Sequence, residues 1–159
     1  MSVATLQRIS REKLSDILLS EDASKVAVVD VRDDDHVGGH IQRSTHIPSS
    51  ELEHRIPEML RTLCDKEIVV FHCALSQQRG PTAALRYMRE KESNISKRDY
   101  EQTTEPQDLG EQVEDIKKMP TMGKEQKVYV LDRGFVGWQE KYVSTVANKF
   151  RTSSIRLTL

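Results

Sequence analysis

An α/β fold, a sheet packed between helices as a sandwich, is the class this sequence predicts, and three observations predict it. Short runs rich in β-branched residues stand at Lys25–Val31, Ile68–Phe71 and Val128–Leu131. Stretches with one apolar face at helical spacing alternate with them, the pattern of strands joined by helical crossovers. The 159 residues suit one domain with enough chain for a substantial core, and no internal repeat is present.

Each element has a local reason. Ser10 can cap a first helix, with Ile9 and Leu14 spaced as a hydrophobic staple, and Leu14, Ile17 and Leu18 form its apolar face. Lys25–Val31 is the first strand and ends at Asp30, an aspartate expected to bond the neighbouring loop backbone. Asp33, Asp34 and Asp35 read as a solvated acidic loop; general-acid work by one of them is the less favoured alternative. Gly38-Gly39 permits a tight turn. His36, His40 and His46 have no cysteines at ligand spacing and read as loop histidines, so no metal is expected. Leu52, Ile56, Met59, Leu60 and Leu63 mark a helix interrupted or kinked near Pro57. Phe135, Trp138 and Tyr142 follow the last strand at helical spacing, as a core stripe does.

The chemistry is concentrated in one loop. After Ile68–Phe71 come His72, then Cys73-Ala74-Leu75-Ser76-Gln77-Gln78-Arg79, then Gly80-Pro81 and helix formers from Ala83 to Arg89. Pro81 suits a first helical turn, where its missing N–H costs nothing. A C-x5-R run from strand end to helix start turns its backbone N–H groups toward one point, and the helix dipole adds positive potential there. Arg79 supplies a planar fork for two oxygens. The same field favours the thiolate of Cys73, a nucleophile aligned on a bound tetrahedral oxyanion. Ala74, Leu75, Ser76, Gln77 and Gln78 would line the oxyanion site. His72, Asp30 and Gly80 would support the loop. Against this stands the plain reading of a lone cysteine after an apolar strand, a small buried residue.

Further motifs carry a resemblance that covers most of the chain. Val28-Val29-Asp30-Val31-Arg32, Gly38-Gly39-His40-Ile41 and Ile47-Pro48 resemble the first half of a rhodanese domain; Val128–Leu131, Gly134-Phe135 and Gly137-Trp138 resemble its closing strand and last helix. The loop resembles that of M-phase-inducer phosphatases and their arsenate-reductase relatives, with Leu75–Pro81 close to small fungal members. The resemblance implies a three-layer sandwich: a central, mostly parallel five-stranded sheet with helices on both faces. It also implies a cysteine-dependent protein phosphatase, tyrosine or dual-specificity, working through a cysteinyl-phosphate. An arsenate reductase on the same cradle is the alternative. Sulfurtransferase rhodaneses carry a shorter loop, so sulfur transfer ranks lower, and a catalytically inactive binding module ranks lower because it would need neither Cys73 nor Arg79.

The chain departs from that pattern in three places. Gln78 stands where the inducer phosphatases carry glutamate, Val31 where they carry a backup cysteine, and Asp132-Arg133-Gly134-Phe135 where Arg-Gly-Gly-Phe is usual. The leaving-group acid is therefore unassigned, and no cysteine guards Cys73 from the first strand. Cys64 lies at the opposite end of the intervening strand, which favours structural filler over a disulfide partner. An arsenate reductase of this kind would take electrons from glutathione or glutaredoxin. The phosphatase reading needs no cofactor, and its partner is a phosphorylated protein or a small oxyanion.

Composition sets the remaining bounds. Net charge is −1, which gives no bulk attraction to nucleic acid. No apolar run is long enough to span a bilayer, and no secretory pattern opens the sequence. Two cysteines make no disulfide framework, so a reducing setting, cytoplasm or nucleus, is expected. Residues 92–126 are polar and read as an insertion, with Leu109, Val113 and Ile116 on one face of a short helix; 144–159 form a basic tail without clear pattern. Oligomeric state leaves no mark in the sequence.

Overall fold

The computed structural model describes residues 5–101 and 125–142. Five parallel strands form one sheet: β1 (Gln7–Ile9), β2 (Val26–Asp30), β3 (Ser44–His46), β4 (Ile68–His72) and β5 (Lys127–Leu131), in the order β1-β5-β4-β2-β3. The helices are α1 (Arg11–Leu19), a 3-10 turn (Glu21–Lys25), α2 (Leu52–Thr62), α3 (Arg79–Glu101) and α4, the helical run 134–142. The expected α/β sandwich is therefore present, and every strand pairing is parallel.

Alternation along the strands sorts the core into two layers. Val29, Val69, Phe71, Cys73, Val128 and Val130 pack with Leu52, Ile56 and Met59 of α2 and Ala83, Ala84 and Tyr87 of α3. Val26, Val28, Val70 and Leu131 pack with Leu14 of α1 and Phe135 of α4 on the other face. A sheet covered on both sides explains why its central strands read as continuous apolar runs.

Element ends differ from the sequence reading for physical reasons. Lys25 belongs to the 3-10 turn and Val31 has left the strand, which runs Val26–Asp30. Ser10 caps α1, its hydroxyl accepting the Lys13 N–H, and the staple residues Ile9 and Leu14 share one cluster. α2 continues through Pro57, which is exposed, so water can serve the carbonyl that proline leaves without a donor. α3 begins at Arg79, two residues before Pro81; its first full-turn bond runs from the Thr82 N–H to the Gln78 carbonyl, so Pro81 still lies among the first-turn positions that need no donor. α3 extends to Glu101, so the polar stretch from Glu92 starts as helix rather than loop. Gln126, at its far end, is anchored: its amide donates to the carbonyls of Leu63 and Lys66, and its oxygen accepts from Tyr87 and Lys91. Leu109, Val113, Ile116 and the tail 144–159 lie outside the described residues.

Because the strands are parallel, their C-terminal ends share one edge. Ile9, Asp30, His72 and Leu131 end their strands there, and Asp30 sits in register with both His46 and His72. Loops leaving this edge converge, the usual place for a site in a parallel sheet.

Candidate active site

β4 delivers Cys73 to that edge, and α3 departs from Arg79. Cys73 is 4% exposed, and its Sγ accepts the Ser76 N–H at 3.2 Å. The turn needs Ser76 at φ +52°, a left-handed position that gathers the loop over the sulfur. Ser76 is fully buried, and its hydroxyl has no hydrogen-bond partner among the described residues. The N–H groups of Ala74, Leu75, Gln77 and Gln78 likewise meet no acceptor there. A loop that carries a thiol and this many unmet donors can take an anion. Gly80 lies where the first turn of α3 meets the loop, and a Cβ there would make close but ordinary contact, 3.4 Å from the Cys73 nitrogen and the His72 Cα.

Loop and sheet are tied together by buried polar groups. His72 is fully buried, and its Nδ1–H donates to the Cys73 carbonyl at 3.3 Å. Burial lowers its pKa, so it stays neutral and shapes the loop rather than carrying charge. Asp30 accepts the Arg32 N–H at 3.1 Å, the backbone role expected of it. It also forms a forked pair with the Arg32 guanidinium, at 2.7 Å from Nη2 and 3.0 Å from Nε. Burial works against the Asp30 charge, but the hydrogen bond from Arg32 and the other contacts prevail, and its pKa is lowered. The guanidinium lies 3.9 Å over the Phe135 ring, joining the β2 side of the site to α4. His36 and His46 stack at 3.7 Å beside this pair. His36 Nε2 stands 3.4 Å from Asp30 Oδ2, close enough for electrostatics but without hydrogen-bond geometry. Among the described residues no cluster of three metal-ligating side chains occurs.

The acidic loop after β2 is not simply solvated, as its composition suggested. Asp35 takes both Nη groups of Arg79, at 2.7 and 2.6 Å, and Asp33 accepts from Nη1 at 3.2 Å. Asp33 also accepts from the Ser49 hydroxyl and the Ser50 N–H, which fixes its direction. Hydrogen bonding to Arg79 holds the Asp35 carboxyl down to about 2, and the Ser49 hydroxyl leads the causes that lower Asp33. Neither carries a proton to donate at neutral pH in this arrangement. Arg79 is correspondingly raised, chiefly by Asp35, with Cys73 among the contributing charges.

Opposite that acidic loop, α4 clamps the site through its backbone. The Phe135 and Val136 N–H groups donate to the Cys73 and Ala74 carbonyls at 2.9 Å each. Gly134 has φ +57°, and a Cβ there would come within 2.5 Å of both carbonyl oxygens. Arg8 reaches in from β1, its Nη2 donating to the Ser76 carbonyl at 3.3 Å. A cleft of about 310 Å³ opens beside the loop here, lined by Arg8, Leu75, Gln77, Asp132, Arg133 and Val136. A larger hollow between α2 and α3, about 450 Å³, contains no loop residue and is not the site the loop forms.

The structure thus brings together Cys73, Arg79, the intervening loop, His72, Asp30 and Gly80. Gln78 is exposed, and its side chain bonds nothing among the described residues. Cys64 stays apart, a free thiol donating to the Arg61 carbonyl at the far end of β4. The sequence carries no local sign that Asp33 and Asp35 hold Arg79, that Arg8 reaches the loop, or that α4 clamps it; only Gly134, in the closing motif, leaves a readable trace.

The Rhodanese-like domain family matches residues 10–141. Arsenate reductase 2.2 of Oryza sativa is 36% identical over 72% of this chain and 70% of its own length. The dual specificity phosphatase Cdc25 of Arabidopsis thaliana is 35% identical over 72% of this chain, which spans 62% of that relative. The solved structure of a yeast protein tyrosine phosphatase of the rhodanese family superposes with a TM-score of 0.57 at 27% identity, covering 89% of each chain. Fold, parallel topology and these matches agree: the chain belongs to the rhodanese-like domain family, with homologues named as phosphatases and arsenate reductases.

Proposed function

We propose that the protein is a cysteine-dependent phosphatase, acting on phosphotyrosine or with dual specificity. The single observation that carries the reading is the loop itself. A buried Cys73 sulfur, unmet backbone donors and Arg79 stand within one seven-residue turn between a parallel strand and a helix. In the first step the Cys73 thiolate attacks phosphorus, an S–P bond forms, the P–O ester bond breaks, and the alcohol or phenol leaves with a proton. In the second, water attacks phosphorus, the S–P bond breaks, and inorganic phosphate departs. Loop amides, the Ser76 hydroxyl and Arg79 hold the equatorial oxygens through both steps. No metal or cofactor takes part. Asp33 and Asp35 are poor acids while paired with Arg79, so the leaving-group proton comes from substrate or solvent.

The same cradle supports a second reading, favoured by the identity to a plant arsenate reductase. Arsenate would bind where phosphate does, and Cys73 would displace hydroxide from arsenic to form a thiol–arsenate adduct. Glutathione, with or without glutaredoxin, would supply the two electrons that reduce arsenic and become the disulfide. A reducing compartment, cytoplasm or nucleus, suits either chemistry.

Three assays separate the readings: p-nitrophenyl phosphate hydrolysis, glutathione-dependent arsenate reduction and thiosulfate–cyanide sulfur transfer, each on wild type and Cys73→Ser. The phosphatase reading predicts hydrolysis by the wild type only. Activity in the sulfur-transfer assay alone overturns it.

A further inference from the structure

Arg79 is held from one side in a way that decides what remains for a ligand. A guanidinium offers five N–H donors. Asp35 accepts one from each Nη, and Asp33 accepts the second from Nη1. Two donors are left, the Nε–H and the remaining Nη2–H, which point the same way along one edge of the plane. Neither meets an acceptor among the described residues. That edge is a complete fork of the kind that takes two oxygens of a tetrahedral anion.

The holders are themselves held. The Ser49 hydroxyl bonds Asp33 Oδ2 at 2.6 Å, and the Ser50 N–H bonds Oδ1 at 3.2 Å. Asp35 Oδ1 accepts the Asp33 N–H at 3.0 Å, so the two carboxylates form one turn. Arg79 is about one-third exposed and would otherwise sample many rotamers; fixing it beforehand removes that entropy loss from ligand binding. The Asp35 charge persists through neutral and mildly acidic conditions, since its carboxyl is held down to about 2.

We propose that Asp35, seconded by Asp33, is a positioning residue for Arg79: it binds the end of the guanidinium and presents the free Nε–Nη2 edge to the oxyanion. This rests on the reading of the loop as an oxyanion site. Asp35 acts through Arg79 and touches no reacting atom.

The test is the binding of inorganic phosphate to the full chain, followed by NMR titration, which needs no turnover. Asp35→Ala weakens phosphate binding about tenfold, the scale of one charge-assisted hydrogen bond. Asp35→Glu, which keeps a forked carboxylate, recovers most of the loss. In an Arg79→Lys background there is no fork to orient, and Asp35→Ala causes no further loss. Equal losses in both backgrounds, with a lowered melting temperature, would mean a merely structural role and overturn the proposal. So would unchanged or tighter binding by Asp35→Ala alone, which would mean that Asp35 competes with the anion for Arg79. A wild type that binds phosphate with this pattern yet hydrolyses no phosphate ester leaves the positioning role standing and removes the phosphatase reading. A wild type that binds no phosphate removes both.

Discussion

The loop at Cys73 rests between two unlike walls. On the β2 side the wall is electrostatic: Asp33 and Asp35 grip Arg79, and behind them Asp30 is paired with a fully buried Arg32. On the α4 side it is steric: two backbone N–H groups hold the Cys73 and Ala74 carbonyls, and Gly134 leaves space where any side chain would strike them. Arg32 stacked on Phe135 joins the walls. The two walls divide the labour. The charged wall aims a functional group and responds to pH and to charge substitutions. The steric wall sets the height of the loop and responds to a single methyl group.

The largest effect comes from breaking the charged wall at its base. Asp30→Asn leaves the Arg32 cation buried and uncompensated, and should cost about 3–5 kcal/mol in urea unfolding. The steric wall fails differently. Gly134→Ala combines a left-handed φ with a clash against two carbonyls and should cost roughly 2–4 kcal/mol, with loss of turnover. If Gly134→Ala proved stable and fully active, the clamp would not set the loop. A loss of stability below about 1 kcal/mol for Asp30→Asn would show that solvent reaches Arg32.

The most gradual effect is a pH dependence set by the two histidines beside Asp30. His72 and His36 have lowered pKa values, burial being the leading cause for each. A base whose folded pKa lies below its unfolded value of 6.5 binds fewer protons folded than unfolded. Stability should therefore be complete above pH 6.5 and fall as the pH drops below it, by at most about 1.4 kcal/mol per pH unit per histidine. Urea midpoints measured from pH 7 to 5 check this. His72→Asn, which can keep a donor for the Cys73 carbonyl, should flatten the slope; an unchanged slope would assign it to other groups.

Much of this architecture can be read in the chain because its signals are local. Ser10 before Arg11–Leu19, the apolar runs of β2, β4 and β5, and C-x5-R ahead of Gly80-Pro81 each follow from neighbouring residues. The short strands β1 and β3 do not announce themselves. Each has three residues, and Ser44–His46 is polar; pairing with a neighbour, not propensity, makes them strands. The walls of the site are hidden for the same reason. Asp35 and Arg79 are 44 positions apart, and Arg8 and Ser76 are 68 apart. The triplet Asp33–Asp35 looks like ordinary solvated surface until the parallel sheet sets the end of β2 beside the start of α3.

The proposed phosphatase chemistry requires that Cys73 become covalently phosphorylated during turnover. Rapid mixing with a radiolabelled aryl phosphate, quenching in acid and mapping the labelled peptide tests it most directly. Transient label should appear on Cys73, with none in Cys73→Ser and little in Arg79→Lys. Phosphate release with no label at Cys73, or turnover retained by Cys73→Ser, would contradict it.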